Sequence, residues 1–341
     1  MPSDVFRVGL SHDLYSATAQ TSWGDIELTL LDEAGVVWDF LPADDGTLSA
    51  AAVDGYDAIL FAAPAVTTQT VSGPFTPRLF ARFGVGLDAV DLPACSAVGV
   101  AVTITSDGAK RAVATAALAL ILAVEHRLID KHRLVEQGRW QDKQELMGRG
   151  LTGKTVGTIG LGNVATELFG LLEPFQTVNL ASDPRRARAK TPSPGVQLLD
   201  LADVLARSDI LVITAALTAQ TRHLIDSAAL ALMKPDAILV NVARGPIVDT
   251  DALVRALANG RLGGAGLDVF ETEPLPAEHP LISLENVVLS PHALAWTDEM
   301  ARGNGASAIR SILAVRDRIR PTHLANPDVL EHERFKDFLP A

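Results

Sequence analysis

The chain of 341 residues has a single cysteine, Cys95. No intramolecular disulfide is available and the Cys/His spacings of zinc sites are absent, so neither crosslinks nor a structural metal is expected to hold the fold. One cysteine without a motif around it reads as a small buried hydrophobe in a reducing compartment. Basic residues are also short: 29 Lys+Arg face 41 Asp+Glu, for a net charge of -12 and a pI near 5.1. Such a chain lacks the positive footprint of a nucleic-acid or anionic-membrane binder, so any phosphate must be held locally. Long apolar runs are missing too. The longest, Ala112 to Val124, falls short of the roughly 20 residues that span a bilayer, and the opening MPSDVFRVGLSHDLYS has no basic-then-apolar leader. A cytoplasmic protein with neither a membrane nor a nucleic-acid partner is expected.

What is present is a folded, core-rich chain: 48% of residues are apolar and mean hydropathy is +0.22, which excludes disorder. The length fits two domains of about 100–200 residues. From Val5 to Thr103, short apolar runs (VFRVGL, VVWDF, DAILFAA, RLFARFG, VAVTIT) alternate with helical stretches, the pattern of a parallel sheet covered on both faces. Ala112 to Leu128 is apolar on nearly every side and reads as a buried helix. A polar, glycine-containing surface excursion is expected over 133–153. A second alternating series then begins at Lys154, with strands in TVGTIGL, VNLAS, DILVITA, AILVNVA, GAGLDVF and NVVLSP and a closing helix over 301–317.

Within that series, VGTIGLGNVATELFG places Gly160, Gly162 and Ala165 in the spacing G-x-G-x-x-A, after an apolar strand and before a helix. Gly160 permits the tight turn, Gly162 lets the backbone approach a pyrophosphate, and Ala165 allows close helix packing. The amides of Asn163 and Val164 and the helix dipole meet the negative charge. The spacing alone is weak evidence. Eighteen residues beyond Ala165, however, the next strand ends at Asp183, placed to accept hydrogen bonds from the adenosine ribose. A carboxylate there repels the 2′-phosphate of NADP and favours NAD. Arg185, Arg186 and Arg188 follow directly and could clamp that phosphate if Asp183 turned away, or form a solvated basic loop.

Three further blocks, LMKPDAILVNVARGPIVD (232–249), GAGLDVFETEPLP (264–276) and NVVLSPHALAWT (286–297), resemble in order and spacing the signatures of the NAD-dependent D-2-hydroxyacid dehydrogenases. RFGVGLDAVD (82–91) resembles that family's substrate-domain signature. The resemblance implies two doubly wound α/β domains. An NAD-binding Rossmann domain, 105–300, would be inserted into a flavodoxin-like substrate domain, 1–104 plus 301–341, with a cleft between them and a hinge at the two crossings. It implies hydride transfer between NAD(H) and C2 of a D-2-hydroxy or 2-oxo acid.

Each block then has a chemical reason. Arg244 would hold the substrate carboxylate with its planar fork, and His292 would exchange a proton with the C2 oxygen. Glu273 would fix the imidazole of His292, the family motif choosing it over Glu271 two residues earlier. Asp268 resembles the aspartate near the nicotinamide, and its other reading is a strand-end cap of nearby amides. Ala215, Val242 and Ala243 fall on cofactor-contacting positions, and Val85 and Gly86 on backbone contacts to the substrate carboxylate. Trp296 either walls the substrate pocket or caps the domain interface. Thr214 and Ala216 stand where the family more often has His and Pro. The family precedent also implies a homodimer. The alternative on the same fold is a non-catalytic NADH-sensing or corepressor-like protein.

Overall fold

The computed structural model describes residues 5–15, 21–43, 45–189 and 194–340. The first strands and helices are β1 (Arg7–Leu10), α1 (Thr29–Glu33), β2 (Val37–Phe40), α2 (Ala50–Val53), β3 (Ala58–Phe61), β4 (Leu79–Arg82), α3 (Leu92–Ala97) and β5 (Ala101–Thr103). There follow α4 (Ser106–Glu125), α5 (Leu128–Glu136), β6 (Thr155–Ile159), α6 (Asn163–Leu172), β7 (Val178–Ser182), α7 (Pro184–Ala189), β8 (Val196–Leu198) and α8 (Leu201–Arg207). The rest are β9 (Ile210–Ile213), α9 (Ser227–Leu232), β10 (Ile238–Asn241), α10 (Thr250–Ala258), β11 (Gly264–Leu267), β12 (Val287–Leu289) and α11 (Asp298–Arg316). Contacts among the described residues divide the chain into two compact units. One takes the segments up to Ala109 and from Trp296 onward, and the other is Lys110–Ala295.

The first unit holds a five-stranded parallel sheet in the order β2-β1-β3-β4-β5, a flavodoxin-like winding. Its strands are short and apolar because both faces are covered. In β3, Ala58 and Leu60 pack with Ile309 and Ile312 of α11, while Ile59 and Phe61 face Cys95 of α3 and Phe80 on the other side. The period-2 geometry of a strand makes such a run uniformly hydrophobic.

The second unit holds a seven-stranded parallel sheet in the order β12-β11-β10-β9-β6-β7-β8. The chain winds outward from β6 to β8, then returns to lay β9 on the other side of β6. That reversal is the Rossmann switch point, where a crevice opens beyond the strand ends. Leu211 and Ile213 of β9 enter one apolar layer. Ile210 and Val212 enter the other, with Ala114, Ala117, Leu120 and Ile121 of α4.

Three expectations about elements change. The long helix starts at Ser106 and not Ala112; its first turn, SDGAKR, is polar, so apolar periodicity conceals it, while Asp107 favours the positive helix end. The 133–153 excursion is largely helical, with the end of α5 and a 3-10 helix over Trp140–Leu146. Arg127, at φ 52 in the left-handed region, breaks α4 from α5. Finally, β8 and α7 form where the sequence carries no strong pattern. No single helix among the described residues is long and apolar enough to cross a membrane.

Candidate active site

The cofactor-type residues of the second unit gather at the carboxyl ends of β6, β7 and β9. Gly160 adopts φ +90, and a Cβ there would lie 3.0 Å from the Cα of Ala215, so only glycine lets the two strand ends meet so closely. Thr214 locks the contact: its hydroxyl donates to the carbonyls of Ile159 (3.1 Å) and Gly160 (3.0 Å). The departure at Thr214 from the family's usual histidine therefore ties this loop to the glycine turn. Gly162 caps α6 without a side-chain hydrogen bond, and a Cβ on it would project into open space. The first-turn amides at Asn163 and Val164 thus face room for an anion.

Asp183 follows β7 and stays turned toward that turn. One oxygen accepts from the Leu161 amide (2.9 Å), the other from the amides of Arg185 and Arg186 (3.0 Å each). Burial pushes its carboxyl up, but the three amides and the charge of Arg185 outweigh it, and its pKa lies below the ordinary value. The Arg188 side chain folds back on its own helix, donating to the Pro184 carbonyl at 3.1 Å.

Beyond β10, β11 and β12 lie the residues with acid/base character. Buried Asn241 shapes the turn after β10. Its side-chain oxygen accepts from the Ala243 amide (3.0 Å), and its Nδ2 donates to the Arg244 carbonyl (3.0 Å), fixing Val242, Ala243 and Arg244. Arg244 Nη1 donates to the Ala243 carbonyl at 2.6 Å. Gly245 lets this turn press on the next loop, since a Cβ there would overlap the carbonyl carbon of Phe270, 1.9 Å away.

After β12, Pro291 centres a tight turn closed by the His292 amide donating to the Ser290 carbonyl at 3.0 Å. His292 itself sits at φ 55. Its Nδ1 lies 2.8 Å from Oε2 of Glu273, whose Oε1 accepts the Phe270 amide at 2.9 Å. Asp268, buried at the end of β11, accepts from the amides of Ala293 (3.1 Å) and Leu294 (3.2 Å) and so holds the His292 loop from below. This is the capping arrangement that the sequence left as its second reading.

The remaining sequence candidates lie in the first unit. Val85 and Gly86 follow β4 in a loop braced by Arg82, whose Nε donates to the Gly86 carbonyl at 3.1 Å. Trp296 packs on Trp23, with ring centroids 4.3 Å apart, and remains largely exposed.

Two residues escaped the sequence. Asn241 looked like one more strand residue, and nothing in its spacing marks a turn-former. His223 carries no motif in the sequence, yet its Nε2 lies 2.8 Å from Oε2 of Glu271, the rival of Glu273.

A family model described as D-isomer specific 2-hydroxyacid dehydrogenase, NAD binding domain, matches residues 118–293. A glyoxylate reductase of Thermofilum pendens is 39% identical over 258 residues, 74% of this chain and 76% of that protein. A glyoxylate/hydroxypyruvate reductase A of Arabidopsis thaliana is 39% identical over 234 residues, 68% of this chain and 72% of its own length. Among solved structures, the TT0316 protein of Thermus thermophilus superposes with a TM-score of 0.80 at 29% identity, covering 94% of this chain and 100% of that one.

Proposed function

The chain belongs to the D-isomer specific 2-hydroxyacid dehydrogenases, NAD-dependent oxidoreductases, and on that premise we propose that it reduces short 2-oxo acids such as glyoxylate and hydroxypyruvate through Arg244, Glu273 and His292. The observation that carries this assignment is the 2.8 Å pair of His292 and Glu273 at the carboxyl edge of the sheet. Arg244 stands at the same edge, beyond β10.

Asp183, the turn at Gly160 and Gly162, the amides of Asn163 and Val164, and the flanking Ala215, Val242 and Ala243 fit a dinucleotide and would hold it. When bound, NADH supplies the hydride taken up at C2. Arg244 grips the substrate carboxylate with its planar fork and orients the carbonyl. Glu273 occupies Nδ1 of His292, which leaves Nε2 to give a proton to the C2 oxygen as it becomes a hydroxyl. In the oxidative direction, His292 takes that proton back. Asp268 keeps the imidazole loop in place and adds a negative charge near the same edge. Val85, Gly86 and Trp296 are proposed substrate contacts on the sequence resemblance.

NAD is proposed over NADP because Asp183 is ionised and held by three amides instead of turned away, which leaves a negative charge where the 2′-phosphate would sit. One experiment tests the whole assignment: 2-oxo acids assayed with NADH and with NADPH, for the native chain and His292→Ala. The variant is expected to lose about 10²–10⁴-fold in kcat while binding NADH as before. Full activity in the variant would overturn the assignment. NADH binding with no turnover of any 2-oxo acid by the native chain would support the non-catalytic alternative.

A homodimer is part of the proposal. Leu128, at the start of α5, and Val135, Trp140 and Met147 of the 133–153 excursion are all exposed, an apolar set suited to a second copy. Light scattering is expected to give about twice the 36.1 kDa chain mass; a particle of one chain mass at micromolar concentration rejects the dimer.

A further inference from the structure

We propose that Glu271 and His223 form a positioning pair that holds the Glu273 loop against the Arg244 turn and so keeps His292 and its carboxylate in register; this rests on the dehydrogenase assignment. The loop after β11 bears two carboxylates two residues apart, and they are used in parallel. Glu273 accepts the Phe270 amide with one oxygen (2.9 Å) and faces the imidazole of His292 with the other (2.8 Å). Glu271 accepts the Thr250 amide with one oxygen (2.7 Å) and faces the imidazole of His223 with the other (2.8 Å).

The second pair reaches back to the segment that carries Arg244. The His223 amide donates to the Pro246 carbonyl at 2.8 Å, and the Ile225 amide to the Ile247 carbonyl at 3.1 Å. His223 is therefore stitched to the turn immediately after Arg244. Thr250, the other partner of Glu271, opens α10 just beyond that turn. Gly245 already lies against the Phe270 backbone, where no side chain could fit. One carboxylate thus joins the 270–274 loop, the 244–250 segment and the 221–225 turn.

The amide and imidazole hold Glu271 ionised: burial pushes its pKa up, but the bonds from His223 and Thr250 outweigh it and leave it below the ordinary value. His223 sits at φ 49, a left-handed conformation in which histidine is over-represented among non-glycine residues. The conformation gains its purpose from the contact, since it turns the ring toward Glu271 while the backbone follows the Arg244 segment. Both residues act on the reaction as positioning groups. Their effect passes through Glu273, whose misplacement by about 1 Å can cost on the order of 10²-fold in rate.

The test uses the full chain with Glu271→Ala, Glu271→Gln, His223→Asn and His292→Ala. Glutamine keeps an oxygen for the Thr250 amide and offers an amide to His223, and asparagine tolerates the left-handed backbone. Expected for Glu271→Ala is a fall in kcat of about tenfold or more with NADH affinity within about twofold of the native value. The downfield proton resonance of His292 Nδ1–H, assigned by its loss in His292→Ala, is expected to broaden or disappear. Glu271→Gln restores most of both signals, and His223→Asn combined with Glu271→Ala is no worse than Glu271→Ala alone.

The pair has no positioning role if Glu271→Ala leaves kcat and the His292 resonance at native levels. It is merely structural if Glu271→Ala, Glu271→Gln and His223→Asn all lower Tm and NADH affinity together while the resonance persists. Failure of the dehydrogenase assignment is separable: a native chain inert toward every 2-oxo acid defeats that assignment, while the His292 resonance still decides whether Glu271 holds the pair.

Discussion

Two roles meet at Asp268, and geometry separates them. One oxygen receives the amides of Ala293 and Leu294, the two residues after His292. An asparagine side chain offers the same oxygen without the charge, whereas alanine offers neither. If holding the loop is what matters, Asp268→Asn keeps most of kcat and Asp268→Ala loses about tenfold or more, because two half-buried amides lose their acceptor and His292 drifts from Glu273. If the negative charge near the cofactor matters more, both variants weaken NAD binding alike. Steady-state kinetics with NAD affinity measured in parallel separates these outcomes; equal kcat and equal NAD affinity in all three proteins remove Asp268 from both roles. Cys95 is the opposite case, a residue whose environment closes off chemistry. It is fully buried, and burial with the nearby Asp91 charge pushes its thiol up to about 12, so almost no thiolate exists at neutral pH.

At the scale of elements, legibility followed hydrophobic pattern. Strands such as β3 in one sheet and β9 and β10 in the other feed alternate side chains into two apolar layers, so continuous apolar runs announced them and the parallel, doubly covered sheets they build. The strand-turn-helix around Gly160 was equally plain, because its glycine spacing is a backbone requirement visible in the letters. The first turn of α4 is polar and hidden from periodicity. The α5 and Trp140–Leu146 helices are short and exposed, with Leu134 the buried residue of α5, so their composition resembles a loop. In the candidate site, motif order singles out His292 and Glu273, which the structure brings within 2.8 Å, but not the contacts that aim them. Asn241 shapes a turn from the last position of a strand, and Glu271 meets His223 from 48 residues away. Such pairings depend on which strand ends become neighbours, and a single sequence does not state that neighbourhood. The second carboxylate of FETEP was visible, but its separate partner appears only once β9, β10 and β11 lie side by side.

The whole molecule carries a net charge of -12, yet several of its carboxylates are held in the charged form by specific donors. Asp107, Asp183, Asp209 and Glu271 all lie below their ordinary pKa although burial pushes each upward. Asp209 shows why: Lys234 Nζ bonds one oxygen at 2.8 Å, and the Thr155 amide, at the start of β6, bonds the other at 2.8 Å. A carboxylate with a depressed pKa takes up protons more readily in the unfolded chain than in the folded one. Its stabilisation is complete above the unfolded value, near about 4, and disappears as pH falls through the lower folded value. Glu125 runs the other way. Burial raises it despite the ion pair with Arg149, so its contribution is greatest below its unfolded value and declines as pH rises through the folded one. Five depressed carboxylates, Asp317 beside Arg316 among them, against one raised carboxylate make acid the destabilising direction. The urea midpoint is therefore expected to hold steady from neutral pH down to about 5 and then fall steeply below about 4. Asp209→Asn is expected to lower the midpoint at about pH 7 and to decline less steeply in acid, so that its curve approaches the native one at low pH. Two curves that stay parallel across the whole range would show that Asp209 titrates alike in the folded and unfolded chains, and that Lys234 and the Thr155 amide do not hold its charge.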